Sequence, residues 1–256
     1  FWIVRVAAPG APPRCTPLGF SGIGIAGDRF DRRIVDRLVL PLLGKGGSYR
    51  SFGKVLPIPG GYFTEFADWS RLALVRNRRT LDELRRLQRD ALEPEPIGRM
   101  IALIEHEQGF PLYDAVGRLK RALSTELHAE FRFEGDGIAI SADVSRTEFE
   151  QWIAEDLQRI ETALDAALDQ AATAADQIDR VFLTGGSSLI PAIRTLFERR
   201  FDAARIATGG ELTSVAHGLG LVGEQAELGP WAPCRARFLT LRPPGETASA
   251  RRRSSA

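Results

Sequence analysis

Cysteine is scarce in this chain of 256 residues, which also has neither a long apolar run nor a large excess of one charge. Its two cysteines, Cys15 and Cys234, lie in proline-rich sequence, so a disulfide framework is not expected and a reducing cytoplasm is predicted. No apolar run approaches the roughly 18 residues of a membrane-spanning helix, so no membrane partner is expected. The 34 basic residues are balanced by 33 acidic ones, and this balance provides no overall field to attract nucleic acid.

Histidine is scarce as well, which bears on metal sites. His106, His128 and His217 lie far apart in the sequence, without cysteine or histidine companions at ligand spacing. A zinc site is therefore not expected, and no residue of the chain is assigned as a metal ligand. Ser187 and Ser188 lack the surrounding pattern of a nucleophile elbow, which argues against hydrolase chemistry at this pair.

The periodicity of apolar residues predicts a mixed α/β chain. Strands are predicted at Trp2–Val6 and 16–24, helices at 28–43, 69–108, 111–127 and 147–175, and a β-hairpin at 129–140. Residues 44–68 are predicted to be loop. We therefore expect an α/β core, residues 1–27 and 142–224, interrupted by an α+β subdomain at 28–141. The proline-rich, basic segment 225–256 is expected to be a disordered tail.

The most informative segment is Asp179–Pro191. A short apolar run ends there in Gly185, Gly186 and Ser187, and a helical pattern opens at Pro191. A strand, a Gly-Gly turn and a helix N-terminus allow backbone N–H groups to approach an anion or a nucleotide without interference from Cβ atoms. Many α/β turns have glycine for packing alone, so the turn by itself leaves both explanations open.

Three further stretches follow a family pattern in order: Gly24–Asp31, Arg118–Ser124 and Gly209–Gly220. Together with Asp179–Pro191 they resemble the nucleotide-binding domain of the seventy-kilodalton heat-shock chaperones. The matching features are a glycine–acid–Phe-Asp loop, a Lys-Arg-x-Leu-Ser helix, the Gly-Gly turn and a Val-Ala-x-Gly segment. The insert that contains Tyr62–Trp69 indicates a divergent bacterial branch, whose members lack the usual peptide-binding domain.

This resemblance implies the second lobe of an actin-like ATPase fold, which is ribonuclease H-like, with an inserted α+β subdomain. It implies that ATP or ADP is bound by residues of three stretches: Gly27 and Asp28 near the terminal phosphates, Lys120, Arg121 and Ser124 on the adenosine helix, and Gly185, Gly186 and Ser187 near the ribose and α-phosphate. Asp28 can also be a helix N-cap, alone or together with the phosphate role. Without the resemblance, the Lys120–Arg121 pair is better explained as a solvated basic surface.

Three positions depart from the family pattern. The resemblance implies a ribose-binding glutamate, an arginine on the second face of adenine and an aspartate in the closing segment. This chain has Gly117, Leu189 and Leu212 there, with Glu211 adjacent to the last. The site is therefore expected to bind nucleotide less tightly or to select its base less strictly.

Hydrolysis of ATP needs a positioned metal ion, a cation on the transferred phosphate and a group that orients water. In the resembled family these groups lie in the first lobe and in a loop that would precede Phe1, and the chain is accordingly interpreted as a piece of a longer protein. No catalytic residue is assigned here, and magnesium is expected to be held through the missing N-terminal lobe. The resemblance implies an ATPase that acts in protein folding on protein clients. The alternatives are a small-molecule or sugar kinase of the actin-like superfamily and a degenerate, non-catalytic scaffold.

Overall fold

The structure is a computed structural model that describes residues 1–6, 15–66, 77–136, 138–207, 209–210 and 212–223. The strands are β1 Trp2–Val6, β2 Cys15–Phe20, β3 Ser48–Ser51, β4 Lys54–Pro57, β5 His128–Gly135, β6 Ile138–Ser145, β7 Val181–Phe182 and β8 Ile206–Ala207. The helices are α1 Gly27–Ile34, α2 Leu40–Leu42, α3 Gly61–Phe66, α4 Arg78–Asp90, α5 Pro94–Glu105, α6 Gly109–Thr125, α7 Arg146–Gln170, α8 Pro191–Arg200 and α9 Ser214–Gly223. One compact unit comprises Phe1–Ser214 and a second comprises Val215–Ala256.

The strands form four two-stranded sheets among the described residues. The pairs β1–β2, β3–β4 and β5–β6 are antiparallel, whereas β7–β8 is parallel. Strand β1 and the β5–β6 hairpin confirm the sequence predictions, and β2 ends at Phe20 rather than at residue 24. Residues 69–76, at the start of the predicted helix 69–108, and the predicted tail at 225–256 lie outside the described residues.

The prediction of loop for residues 44–68 was wrong. A hairpin, β3–β4, and helix α3 occupy much of that range. The hairpin turns through Phe52 and Gly53, whose φ angles are +48° and +74°, while Ser51 pairs with Lys54. Two consecutive positive φ angles are the geometry of a type I′ turn, which is usually recognised from Asn-Gly or Asp-Gly. Phenylalanine at the first position concealed the turn.

Helix α1 continues without interruption through a π-helical segment, Val35–Val39, into α2. The side chains of Phe30, Ile34, Val35, Val39 and Leu40 are buried along this run, as the predicted helix at 28–43 requires. The run is fixed against α7 by a buried carboxylate, that of Asp156, which accepts hydrogen bonds from Arg29 and Arg33. These bonds set the direction of α1 and therefore the position of its first residue, Gly27.

Strand β2 packs closely against the end of α7. A Cβ atom at Gly19 would lie 2.6 Å from the carbonyl oxygen of Ala167 and 2.7 Å from the backbone nitrogen of Ala171. Such approaches are shorter than carbon contacts allow, so glycine is required here. The backbone N–H of Phe20 also donates to Gln170 Oε1 at 2.7 Å. The β1–β2 hairpin is thereby held on the same helix that orients α1.

On helix α6, the two residues of the basic pair lie at different distances from the buried face. Leu112, Ala115, Val116, Leu119 and Leu123 form its buried stripe. Lys120 lies at the edge of that stripe, whereas Arg121 is exposed.

In the described part of the chain, no helix has the length and apolar character needed to cross a membrane.

Candidate functional site

Three segments that are distant in sequence meet at Gly27, the first residue of α1. A Cβ atom built on Gly27 would lie 3.3 Å from Lys120 Nζ on α6 and 3.5 Å from Ser187 Oγ in the 3₁₀ turn Gly186–Leu189. The structure therefore brings together the start of α1, helix α6 and the Gly-Gly turn. The absence of a side chain at Gly27 leaves the space in which the ammonium and hydroxyl groups approach its backbone.

The ammonium group of Lys120 is held by α1. Its Nζ donates hydrogen bonds to the Gly27 carbonyl oxygen at 3.0 Å and to Asp31 Oδ2 at 2.9 Å, and it lies 2.8 Å from Asp31 Oδ1. The side chains of Lys120 and Asp31 are only 18% and 20% exposed, so this ion pair is largely shielded from water. An ammonium has three N–H donors, and aligned hydrogen bonds to described residues account for two of them.

Asp31 contacts Lys120, but the sequence alone gave it no binding role. Its Oδ1 atom is buried and accepts no aligned hydrogen bond from the described residues, although it is in ionic contact with Lys120. Burial raises the pKa of the Asp31 carboxyl, and the negative charge of Asp28 raises it further. The hydrogen bond and the charge of Lys120 lower the pKa, but they do not cancel the rise. Asp31 lies four residues after Gly27, one helical turn away on the same face, and this spacing is the signal that could have revealed it.

Arg121 and Ser124 differ in what they have available for a ligand. Arg121 is exposed, and its Nη1 lies 3.4 Å from the position of a Cβ atom on Gly117, one turn earlier. Its planar guanidinium is therefore accessible on the surface of α6. Ser124 Oγ instead donates to the Lys120 carbonyl oxygen at 3.0 Å, within the helix. Only the acceptor side of this hydroxyl remains for a ligand.

The Gly-Gly turn leaves its outer side open. Gly185 has a φ of +85°, and a Cβ atom there would meet nothing within 4 Å. Its carbonyl oxygen accepts from Ser188 Oγ at 2.6 Å, which closes the turn before α8 begins at Pro191. A Cβ atom on Gly186 would lie 3.9 Å from Leu212 Cδ2. The exposed backbone of this turn is accessible to a ligand beside Ser187.

The alternative interpretation of Asp28 as a helix N-cap was wrong. The N-cap residue of α1 is Ala26, which makes no side-chain cap hydrogen bond, and Asp28 lies inside the first turn. A carboxylate in that position interacts favourably with the positive end of the helix dipole. Asp28 is exposed and remains at the same end of α1 as Gly27.

Residues 107–222 match the family described as Hsp70 protein. This finding supports the Hsp70 family for the chain. The matched range includes Lys120, Arg121 and the Gly-Gly turn, whereas Gly27 and Asp28 precede it. An Hsp70 region implies the actin-like ATPase fold, and the mixed α/β structure with small sheets is consistent with that fold.

Curated relatives support the same family. The chain is 27% identical over 110 residues to a "Heat shock protein homolog" of Saccharomyces cerevisiae, a match that covers 42% of this chain and 16% of the relative. It is 33% identical over 82 residues to "97 kDa heat shock protein" of Strongylocentrotus purpuratus, covering 32% of this chain and 9% of the relative. The chain thus spans about a sixth, or less, of the length of these relatives. The bacterial branch stays a prediction.

Proposed function

We propose that this chain is the second lobe of the nucleotide-binding domain of a heat-shock chaperone-like protein, and that it binds ATP or ADP in the cytoplasm. The observation that carries the proposal is the meeting of Gly27, Lys120 and Ser187, which lie in three segments of the family pattern. The Hsp70-family match over 107–222 supports the same assignment independently of the geometry.

The residues present fit the chemical parts of an adenine nucleotide. The exposed guanidinium of Arg121 offers a planar cation on which a base can stack. Lys120 offers one N–H to a ribose or phosphate oxygen, and the open turn at Gly185 and Gly186 allows backbone approach. Asp28 lies at the Gly27 end of the site, where we place the terminal phosphates. These groups bind and orient a nucleotide, and none of them is assigned to the chemistry of hydrolysis.

Metal binding and hydrolysis are proposed to depend on the other lobe of the complete protein. Among the described residues, no group of three or more histidine, cysteine, aspartate or glutamate side chains could hold a metal ion. When bound with the nucleotide, magnesium would neutralise the phosphate charge. Lobe movement coupled to a protein client would then link nucleotide state to protein folding.

The non-catalytic scaffold is the competing function with direct structural support. Gly117 supplies no side chain for the ribose, and Leu189, which is 49% exposed, supplies no cation for the second face of a base. Both losses weaken a nucleotide site without disturbing the fold. The sugar-kinase alternative has no comparable observation in its favour, because the Lys-Arg-x-Leu-Ser helix is typical of the chaperones.

Calorimetric titration of the full-length protein with ATP and ADP, with and without magnesium, tests the proposal. Saturable heat with either nucleotide supports it, and the absence of binding at millimolar nucleotide favours the scaffold. Incubation with sugars and ATP tests the kinase alternative, because production of a sugar phosphate would favour a sugar kinase over a chaperone. Light scattering can measure whether the protein prevents aggregation of a chemically unfolded reporter enzyme, which tests the proposed action on protein clients.

A further inference from the structure

We propose that Asp31 is a positioning residue of the nucleotide site: its carboxylate holds the Lys120 ammonium against the Gly27 carbonyl and makes the lysine part of a neutral pair. This inference rests on the proposed function. It adds a residue and a charge state to that site, and it predicts how the site ranks ligands of different charge.

The Lys120 ammonium group donates to two acceptors, the Asp31 carboxylate and the Gly27 carbonyl oxygen. Lys120 Nζ is 2.9 Å from Asp31 Oδ2, 2.8 Å from Asp31 Oδ1 and 3.0 Å from the Gly27 carbonyl oxygen. Both acceptors belong to α1, whereas the lysine belongs to α6. The pair therefore joins the phosphate side of the site to the adenosine side.

Lysine needs such a partner in order to act at a fixed point. Its four-carbon stem has many rotamers, and ordering a long side chain on binding lowers affinity. Here the carboxylate has already ordered the stem, and only two of the three N–H groups make aligned hydrogen bonds to described residues, so one donor can bind a ligand oxygen. Without the carboxylate, the Lys120 side chain would have to become ordered when the ligand binds. We expect the adenosine Kd to rise about two- to tenfold, which is the usual effect of one such side chain.

The neutrality of the pair gives a second, independent expectation. Asp31→Asn keeps the size of the side chain but leaves the Lys120 charge uncompensated. An uncompensated cation attracts a triphosphate and is indifferent to an uncharged nucleoside. The ratio of the adenosine Kd to the ATP Kd should therefore increase at least about two- to fivefold, which is the effect of a surface ion pair, because this pair is more shielded than a surface pair. Damage to the fold alone would weaken both ligands by the same factor.

The chain offers a matched control on the same helical run. Asp36 pairs with Lys45, with Oδ1 2.5 Å from Nζ, and the two side chains are 35% and 38% exposed. Asp36→Asn removes an acid–lysine pair of the same kind at a position that is not assigned to the site. It reports what the loss of such a pair does to binding through stability alone.

The test is calorimetry of the full-length protein with adenosine and ATP, on wild type, Asp31→Asn, Asp36→Asn, Lys120→Met and the Asp31→Asn/Lys120→Met double variant. In Asp31→Asn we expect a higher Kd for adenosine and a higher ratio of the adenosine Kd to the ATP Kd. Asp36→Asn should leave both values unchanged. Once Lys120 is replaced by methionine, Asp31→Asn should have no further effect.

Three outcomes overturn the inference. The first is Asp31→Asn binding both ligands as wild type does, and the second is equal weakening of both ligands. The third is an Asp31→Asn effect that persists in the Lys120→Met background. A wild-type protein that binds neither ligand overturns the proposed function itself and is distinguished from these three by the wild-type titration.

Discussion

Asp156→Asn is the substitution whose effect on stability follows most directly from the structure. The Asp156 side chain is fully buried on α7, and it accepts from Arg29 Nε at 3.2 Å, Arg33 Nε at 2.6 Å and Arg33 Nη2 at 3.2 Å. Asparagine has nearly the same shape but no charge, and its amide group would face guanidinium donors. The change leaves two arginines, 32% and 16% exposed, without their shared counter-charge.

Removing one partner of a buried ion pair typically costs about 3–5 kcal/mol. Because Arg29 retains some contact with water, we expect the free energy of unfolding to fall by about 3 kcal/mol, the lower end of that range. For a domain of this size, that loss corresponds to a fall in Tm of roughly 6–12 °C. Urea denaturation followed by far-ultraviolet circular dichroism measures the first quantity, and a thermal scan measures the second.

Glu155→Gln is the matched control because Glu155 accepts from the same guanidinium, Arg33 Nη2, at 2.8 Å, but is 71% exposed. A surface pair contributes at most about 1 kcal/mol, so this variant should unfold close to wild type. If the two variants differ by less than about 1 kcal/mol, the assignment of Asp156 as the anchor of α1 is wrong.

The pH dependence gives a second check on Asp156. Burial raises the pKa of this carboxyl, but hydrogen bonds and charges from Arg33 and Arg29 outweigh that effect and hold the pKa below its usual value. A depressed pKa contributes stability above the pKa of the unfolded chain, about 3.9, and that stability is lost as the pH falls through the folded-state pKa. The difference between wild type and Asp156→Asn should therefore shrink below about pH 4. An undiminished difference in that range contradicts the electrostatic explanation.

Two further predictions concern glycine and turnover. Gly117→Ala should raise the free energy of unfolding by about 0.5–1 kcal/mol in urea denaturation, because its Cβ would meet only the flexible end of Arg121 at 3.4 Å. Gly44→Ala is the opposing control, since φ is +101° there and Ile97 Cδ1 would lie 2.5 Å away; a gain in both variants, or in neither, would contradict the reasoning. Residues 1–256 alone should show no ATPase activity above background, and steady phosphate release that Lys120→Ala abolishes would show otherwise.

Several elements could be predicted from the sequence because local signals agree there with the final packing. The β5–β6 hairpin alternates apolar and polar residues across eight paired positions, and one face of it is buried. Helix α7 begins with a capping box, in which Ser145 and Glu148 exchange hydrogen bonds, so its start is also encoded locally. It ends at Gln170, earlier than the predicted residue 175.

The features that could not be predicted depend on contacts between distant residues or on unusual turn chemistry. Phe52 at a positive φ gives no hairpin signal, because the preference for asparagine or aspartate is what identifies such turns. The Asp31–Lys120 pair spans 89 residues, and only the packing of α1 on α6 brings its atoms together. The family pattern located Lys120 but gave no reason to assign a partner to it.

The most direct test of the nucleotide site compares Arg121→Ala with Arg118→Ala in the full-length protein. Arg118 is a matched control because it lies three residues earlier on α6, is 57% exposed and is engaged by Asp114. Stacking of a guanidinium on an aromatic face contributes about 0.5–2 kcal/mol, so Arg121→Ala should raise the Kd of ATP and of ADP by about two- to thirtyfold. The same measurement with GTP should show modest base selectivity, since the proposed site has Leu189 and not a cation for the second face of the base. Arg118→Ala should leave all three dissociation constants unchanged. If Arg121→Ala also leaves them unchanged, or if the two variants weaken binding equally, the surface around Gly27, Lys120 and Arg121 is not the nucleotide site.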